Sequence, residues 1–107
     1  VSSGNISMLL LQLLSEKDMY GYEMIEELEK RSEYVFSLKA GTMYPLLHAM
    51  ESKKHLVSYE KEAQGKMRRY YTITKQGRAE LLKKKEAWET YSKAVGQVIG
   101  GALYGNA

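Results

Sequence analysis

The sequence predicts a mainly α fold with one small β-hairpin, an α+β chain whose last helix is its longest element. Three observations carry this. Apolar residues recur at three- and four-residue spacing up to residue 53, the period changes to two between Leu56 and Thr74, and helical spacing returns from Lys75. At 107 residues, 44% hydrophobic and 27% charged, the chain suffices for one core and is expected to be folded nearly throughout, its single proline arguing against a long linker.

In the first predicted helix Ile6, Leu9, Leu10, Leu13 and Leu14 share a face, Asn5 is placed to cap it and it ends near Ser15. A second helix starts around Tyr20 and buries Met24, Ile25 and Leu28. It sets Glu26 four residues before Lys30 and Glu27 four before Arg31, the favourable order for ion pairs along a helix. Tyr34 to Leu38 is too short for a helix and reads as a short strand or extended link. A third helix from Ala40 to Lys53 turns Met43, Leu46, Leu47 and Met50 inward and Tyr44, Pro45, His48 and Ser52 outward. Pro45 cannot bond the carbonyl of Gly41, so either this helix begins later or its first turn is opened and Gly41 absorbs the distortion.

From Leu56 the alternation implies two strands. Val57, Tyr59 and Ala63 alternate with Ser58, Glu60 and Glu62; Gln64-Gly65-Lys66-Met67 makes the turn; Arg69, Tyr71 and Ile73 alternate with Tyr70, Thr72 and Thr74. Tyr71 and Ile73 supply the apolar face that lets the hairpin pack on the helices. Thr74 caps a final helix with Leu81, Trp88, Tyr91, Val95, Val98 and Ala102 at heptad-like positions, interrupted by Lys84 and frayed by Gly100, Gly101 and Gly105. The expected division is residues 1–74 and 75–107.

Charge is distributed unevenly. Residues 1–38 hold three basic and seven acidic groups, whereas residues 53–78 hold eight basic ones (Lys53, Lys54, Lys61, Lys66, Arg68, Arg69, Lys75, Arg78) against Glu60 and Glu62. Such a basic segment suits a polyanion, nucleic acid above all, although a solvated face with chance clustering has the same composition. Without cysteine and with two histidines, no metal set and no nucleophile beside a base can be assembled, so no enzyme and no cofactor is expected. The apolar run from Met8 to Leu14 is too short to span a bilayer, and the cytosol is the expected compartment.

Helix, helix, link, helix, basic hairpin and long helix is the order of a winged helix-turn-helix, with the third helix in the major groove and the hairpin, or wing, against the backbone. The candidate DNA-binding residues are Lys39, Thr42, Tyr44, Pro45 and His48 around the third helix, and Lys66, Arg68 and Arg69 on the wing for phosphates. Tyr44 reads equally as a half-buried core residue, and His48 as an ordinary surface histidine.

Tyr20-Gly21-Tyr22, Gly41-Thr42-Met43-Tyr44-Pro45-Leu46-Leu47 and Arg68-Arg69-Tyr70-Tyr71-Thr72-Ile73-Thr74 with Gly77 after them resemble the PadR family of transcription regulators, in particular its short members with a single C-terminal helix. The resemblance implies a homodimeric repressor on a palindromic operator in double-stranded DNA, with dimer contacts from the last helix and Tyr20 and Tyr22 near the DNA backbone. Those two tyrosines read equally well as an apolar bracket around Gly21. Two departures are Lys54, where the family usually has the glycine that ends the third helix, and Ala40, where it often has proline.

An exposed apolar stripe of Leu81, Trp88, Tyr91, Val95 and Val98 would be explained by a dimer. In multidrug-sensing members of the family a tryptophan matching Trp88 lines a cavity at the dimer centre, which makes a planar aromatic effector a candidate partner here. Packing within the dimer interface explains the same residue. Together these give a sequence-specific repressor released by a small aromatic ligand; the alternative is a winged-helix protein-interaction module without operator binding.

Overall fold

The computed structural model describes residues 3–100, in which helix α1 (Ser3–Glu16), strand β1 (Met19–Tyr20), helices α2 (Gly21–Arg31) and α3 (Ala40–Ser52), strands β2 (Leu56–Ala63) and β3 (Lys66–Ile73) and helix α4 (Lys75–Ile99) follow in order. The α+β winged-helix architecture expected from the periodicities is therefore present. α1 is the central element. Its Ile6, Leu10, Leu11, Leu13 and Leu14 are all buried, because α2, α3, the sheet and α4 each pack against it. The helix already runs from Ser3, so Asn5 lies inside its first turns and is not its cap. Arg31 at the end of α2 donates to Glu16 (2.9 Å) and Glu27 (3.0 Å), and this exposed pairing holds Glu16 at a pKa of about 2.

Residues 34–38 form the extended link and no strand. The Ser32 hydroxyl donates to the Leu28 carbonyl at 2.6 Å and accepts from the Phe36 amide at 2.9 Å, while Glu33 and Tyr34 turn the chain at φ of 50° and 67°. The third strand is β1, and the antiparallel sheet has the order β1-β3-β2. Two residues are too few to show alternation. The turn between β2 and β3 is also tighter than expected: Gln64 and Gly65 alone make it, both at positive φ, and Ala63 pairs with Lys66. Positive φ at both central positions is the hairpin turn whose twist matches the strands it joins.

The register sorts the side chains. Leu56 opposite Ile73 and Ser58 opposite Tyr71, with Met19 beside Tyr71, face the helices, and Leu56, Tyr71 and Met19 are buried there. Val57, Tyr59, Tyr70 and Tyr20 belong to the outer face. Val57 and Tyr59 are thus outside the core despite their place in the alternating pattern.

α3 ends in a Schellman arrangement, with the Lys54 amide donating to the Glu51 carbonyl (2.9 Å) and the His55 amide to the Met50 carbonyl (2.9 Å). Lys54 accordingly sits at φ 65°, the left-handed conformation that glycine would adopt more cheaply. The start of α4 is fastened to this corner. The Thr74 hydroxyl donates to the Lys54 carbonyl (2.7 Å) and accepts from the Gly77 amide (2.9 Å), and the Thr74 amide donates to the His55 carbonyl (3.0 Å). Gly77 is buried so close to the His55 carbonyl that a Cβ there would overlap the oxygen.

α4 then crosses α1 and carries Leu81, 6% exposed, into the core. Leu81 is thereby removed from the exposed stripe to which its spacing assigned it. The helix stops at Gly100, φ 108°; Gly101, Ala102 and Gly105 lie outside the described residues.

Two glycine replacements separate close approach from ordinary helix propensity. Gly77→Ala is expected to cost about 1–3 kcal/mol in urea denaturation, the range for overpacking a tight site. Gly41→Ala, where a Cβ meets nothing within 4 Å, is expected to gain about 0.5–1 kcal/mol. Gly77→Ala as stable as the parent would refute the tight α4 corner.

Candidate nucleic-acid interface

α3 begins at Ala40 despite Pro45 in its interior. The Lys39 carbonyl accepts from the Thr42 amide (3.0 Å) and the Met43 amide (2.9 Å), so the first turn is closed and Gly41 absorbs no distortion. Lys39 stands at the cap, and Thr42, Pro45 and His48 are exposed along one side. Tyr44 joins them at 37% exposure, its ring 6.3 Å from that of His48. The Tyr44 phenol also lies over Gly21 at the start of α2, where a Cβ would overlap its hydroxyl. Packing and exposure therefore coexist in one side chain, and Gly21 is the residue that makes room for it.

Around that glycine the two tyrosines diverge. Tyr22 is exposed, whereas Tyr20 is half-buried against the sheet, and Glu23 reaches back to the Tyr20 amide (3.0 Å) to satisfy the start of α2.

On the wing, alternation separates the cations expected to act together. Lys66 and Arg68 share the outer face with Lys61, while Arg69 shares the inner, helix-facing side with Glu60 and Glu62. The outer face is wholly basic and the inner face mixed. Arg69 is directed toward α3: its Nη1 donates to the Ser58 hydroxyl (2.9 Å), which donates to the Glu51 carboxylate (2.7 Å). Below this chain the Tyr71 hydroxyl is buried with no hydrogen-bond partner among the described residues. Burial raises its pKa, Glu51 and Tyr44 add to the rise, and Arg69 opposes it.

Sequence reasoning missed Lys61, Tyr59 and Tyr70. Once Gln64-Gly65 is read as a two-residue turn, counting back from Ala63 and Lys66 pairs Lys61 with Arg68 and Tyr59 with Tyr70. The Tyr59 hydroxyl donates to Asp18 just before β1 at 2.6 Å, and that bond, with a smaller contribution from burial, pushes its pKa up to about 12.

Beyond Leu81, α4 presents Trp88, Tyr91 and Val98 to solvent, with Val95 half-buried. Trp88 is 44% exposed, and its ring lies 6.0 Å from that of Tyr91. Both line an open cleft of about 490 Å³ between α1 and α4, together with Asn5, Met8, Lys84 and Ala87. Among the described residues no group of three or more His, Asp or Glu side chains is placed to hold a metal ion, and no helix is long and apolar enough to cross a membrane.

Residues 10–83 match the model of the transcriptional regulator PadR-like family. The chain is 32% identical over 92 residues to the transcriptional regulator Rv3488 of Mycobacterium tuberculosis, covering 86% of this chain and 80% of that one. Among solved structures it is similar to a transcriptional regulator from Clostridium thermocellum (TM-score 0.83, 30% identity, 90% of this chain and 94% of that one). A PadR family transcription regulator from Clostridium difficile superposes with TM-score 0.76 at 38% identity, covering 89% and 98%.

The Tyr59–Asp18 bond has a spectroscopic consequence. A group whose folded pKa is raised contributes its stability fully below its unfolded pKa, near 10, and loses it as pH rises through the folded value, here about 12. The ultraviolet titration difference between parent and Tyr59→Phe is expected to show one phenol ionising near pH 12. Ionisation near pH 10 would mean that the bond to Asp18 does not persist in solution.

Proposed function

Because the chain belongs to the PadR-like family of transcriptional regulators, we propose that it is a sequence-specific DNA-binding repressor that acts as a homodimer and is released by a small planar aromatic ligand. The observation that carries the DNA reading is the wholly basic outer face of the wing, Lys61, Lys66 and Arg68, on the same domain as the exposed side of α3 with Thr42, Tyr44, Pro45 and His48. The lysines and arginine neutralise phosphates, which gives affinity without sequence information. Thr42, Tyr44 and His48 supply hydroxyl, phenol and imidazole groups toward base edges, while Lys39 and the free amides of the first turn of α3 meet a phosphate. No arginine stands on the reading face, so groove shape shares in the recognition. A regulator of this kind works where the DNA is, in the cytoplasm.

The dimer reading rests on α4. Trp88, Tyr91 and Val98 form an apolar surface that nothing in the single chain covers, and a second copy of α4 is the natural cover. The cleft beside Trp88 has the size of a small-molecule site but is open, and a partner chain would supply its missing wall. Two Trp88 rings facing across the two-fold axis would stack on a flat or cationic aromatic compound.

Titration with salt tests the DNA reading. If Lys61, Lys66 and Arg68 of both protomers each meet a phosphate, log K for a generic duplex falls against log[salt] with a slope of about −5. No binding at low salt would point instead to a winged helix used for protein contact. Sedimentation is expected to give a dimer at micromolar concentration, and a monomer there removes the α4 interface. Planar aromatic compounds are expected to quench Trp88 fluorescence; if none does, Trp88 serves packing alone.

A further inference from the structure

The outer sheet face carries a chain of tyrosines across all three strands. Tyr20 of β1 meets Tyr70 of β3 edge-on with ring centroids 5.4 Å apart, and Tyr70 stacks on Tyr59 of β2 at 5.7 Å and 14° between planes. Tyr70 is buried between its neighbours. Just toward the wing tip, Lys61 and Arg68 stand directly opposite each other, an arrangement in which like charges repel. Each is drawn to a different ring. Lys61 Nζ lies 4.8 Å from the centre of Tyr70, and the Arg68 guanidinium 4.6 Å from that of Tyr20, where the negative ring face attracts a cation. Arg68 Nε also donates to the Ala63 carbonyl on the adjacent strand at 3.1 Å.

Two consequences follow from this packing. Ring faces engaged by the chain's own cations are not free to stack on nucleic-acid bases, so the sheet is no platform for single strands. The cations in turn are not free to wander, because their positions are set by β1, the segment that leads into α2. We propose that Tyr20 and Tyr70 are positioning residues for DNA binding: they act through Arg68 and Lys61, holding these on the outer flank so that the wing meets the phosphate backbone as a preset arm. Tyr20 thus works behind the arginine and does not touch DNA. The proposal rests on the DNA-binding reading above.

Full-length Tyr20→Leu, Tyr20→Phe, Arg68→Gln, Arg68→Lys and the double variant Tyr20→Leu/Arg68→Gln, each checked by thermal melting, would be titrated with a mixed-sequence duplex over a range of salt. Tyr20→Leu is expected to bind about five-fold more weakly at every salt concentration, as for one cation–π contact, with the parent's slope because no charge is removed. Tyr20→Phe keeps the ring and restores affinity. Arg68→Gln makes the slope shallower by about one unit per protomer. In the Arg68→Gln background Tyr20→Leu costs nothing further, since residues acting as one unit are not additive.

Should Tyr20→Leu fail to fold, Arg68→Lys gives the same reading from the surface side: charge retained, slope unchanged, affinity lowered by the lost planar contact. Parent-like binding by Tyr20→Leu or by Arg68→Lys, or an undiminished effect of Tyr20→Leu without Arg68, overturns the proposal alone. A parent that binds no duplex overturns it together with the DNA reading.

Discussion

The corner where α3 ends and α4 begins is the point on which the geometry of this protein turns. Thr74 bonds the carbonyl of Lys54 and, through its amide, that of His55, while Gly77 lets the first turn of α4 lie against the same His55 carbonyl. Both ends of the hairpin, the last turn of α3 and the first turn of α4 therefore share a few ångströms of backbone. A lysine in the left-handed region costs about 1–2 kcal/mol. The Schellman bonds and the Thr74 clasp offset that cost. The direction of α4 is consequently set by the end of the helix that carries Thr42, Tyr44 and His48, and α1 packs beneath both.

This arrangement explains which parts of the fold can be read from the sequence. α2, α3 and α4 show clear apolar spacing because each has one buried face, and Thr74 as the cap of α4 follows from residue type alone. The start of α1 is obscured by a polar run that continues the helix outward from Ile6. β1 has no pattern to read: Met19 and Tyr20 become a strand only because β3 offers them an edge. Leu81 illustrates a different limit. A helix whose first half packs on its own core and whose second half is bare has one continuous stripe in sequence, so spacing cannot divide Leu81 from Trp88 and Tyr91.

The candidate site divides along the same line. Basic residues on the wing are visible as a count, but their sorting by face depends on register. Arg68 and Arg69 are neighbours in sequence and lie on opposite sides of the sheet, whereas Lys61 and Arg68 are far apart in sequence and face each other. Tyr44 and Gly21 belong to separate motifs that meet only when α2 and α3 cross, which is why exposure and packing looked like alternatives and proved to be one arrangement.

On the proposed reading, the α4 corner makes dimer geometry and DNA geometry a single quantity. If α4 of two copies pairs through the surface around Trp88 and Tyr91, the clasp at Thr74 and Gly77 fixes where each α3 points. Selection of bound fragments from random DNA measures this most directly. The account predicts an inverted repeat whose half-sites are about one helical turn, 10–10.5 base pairs, or a small multiple of it apart. Recovery of fragments with no enriched repeat, or with half-sites at no consistent spacing, would contradict it.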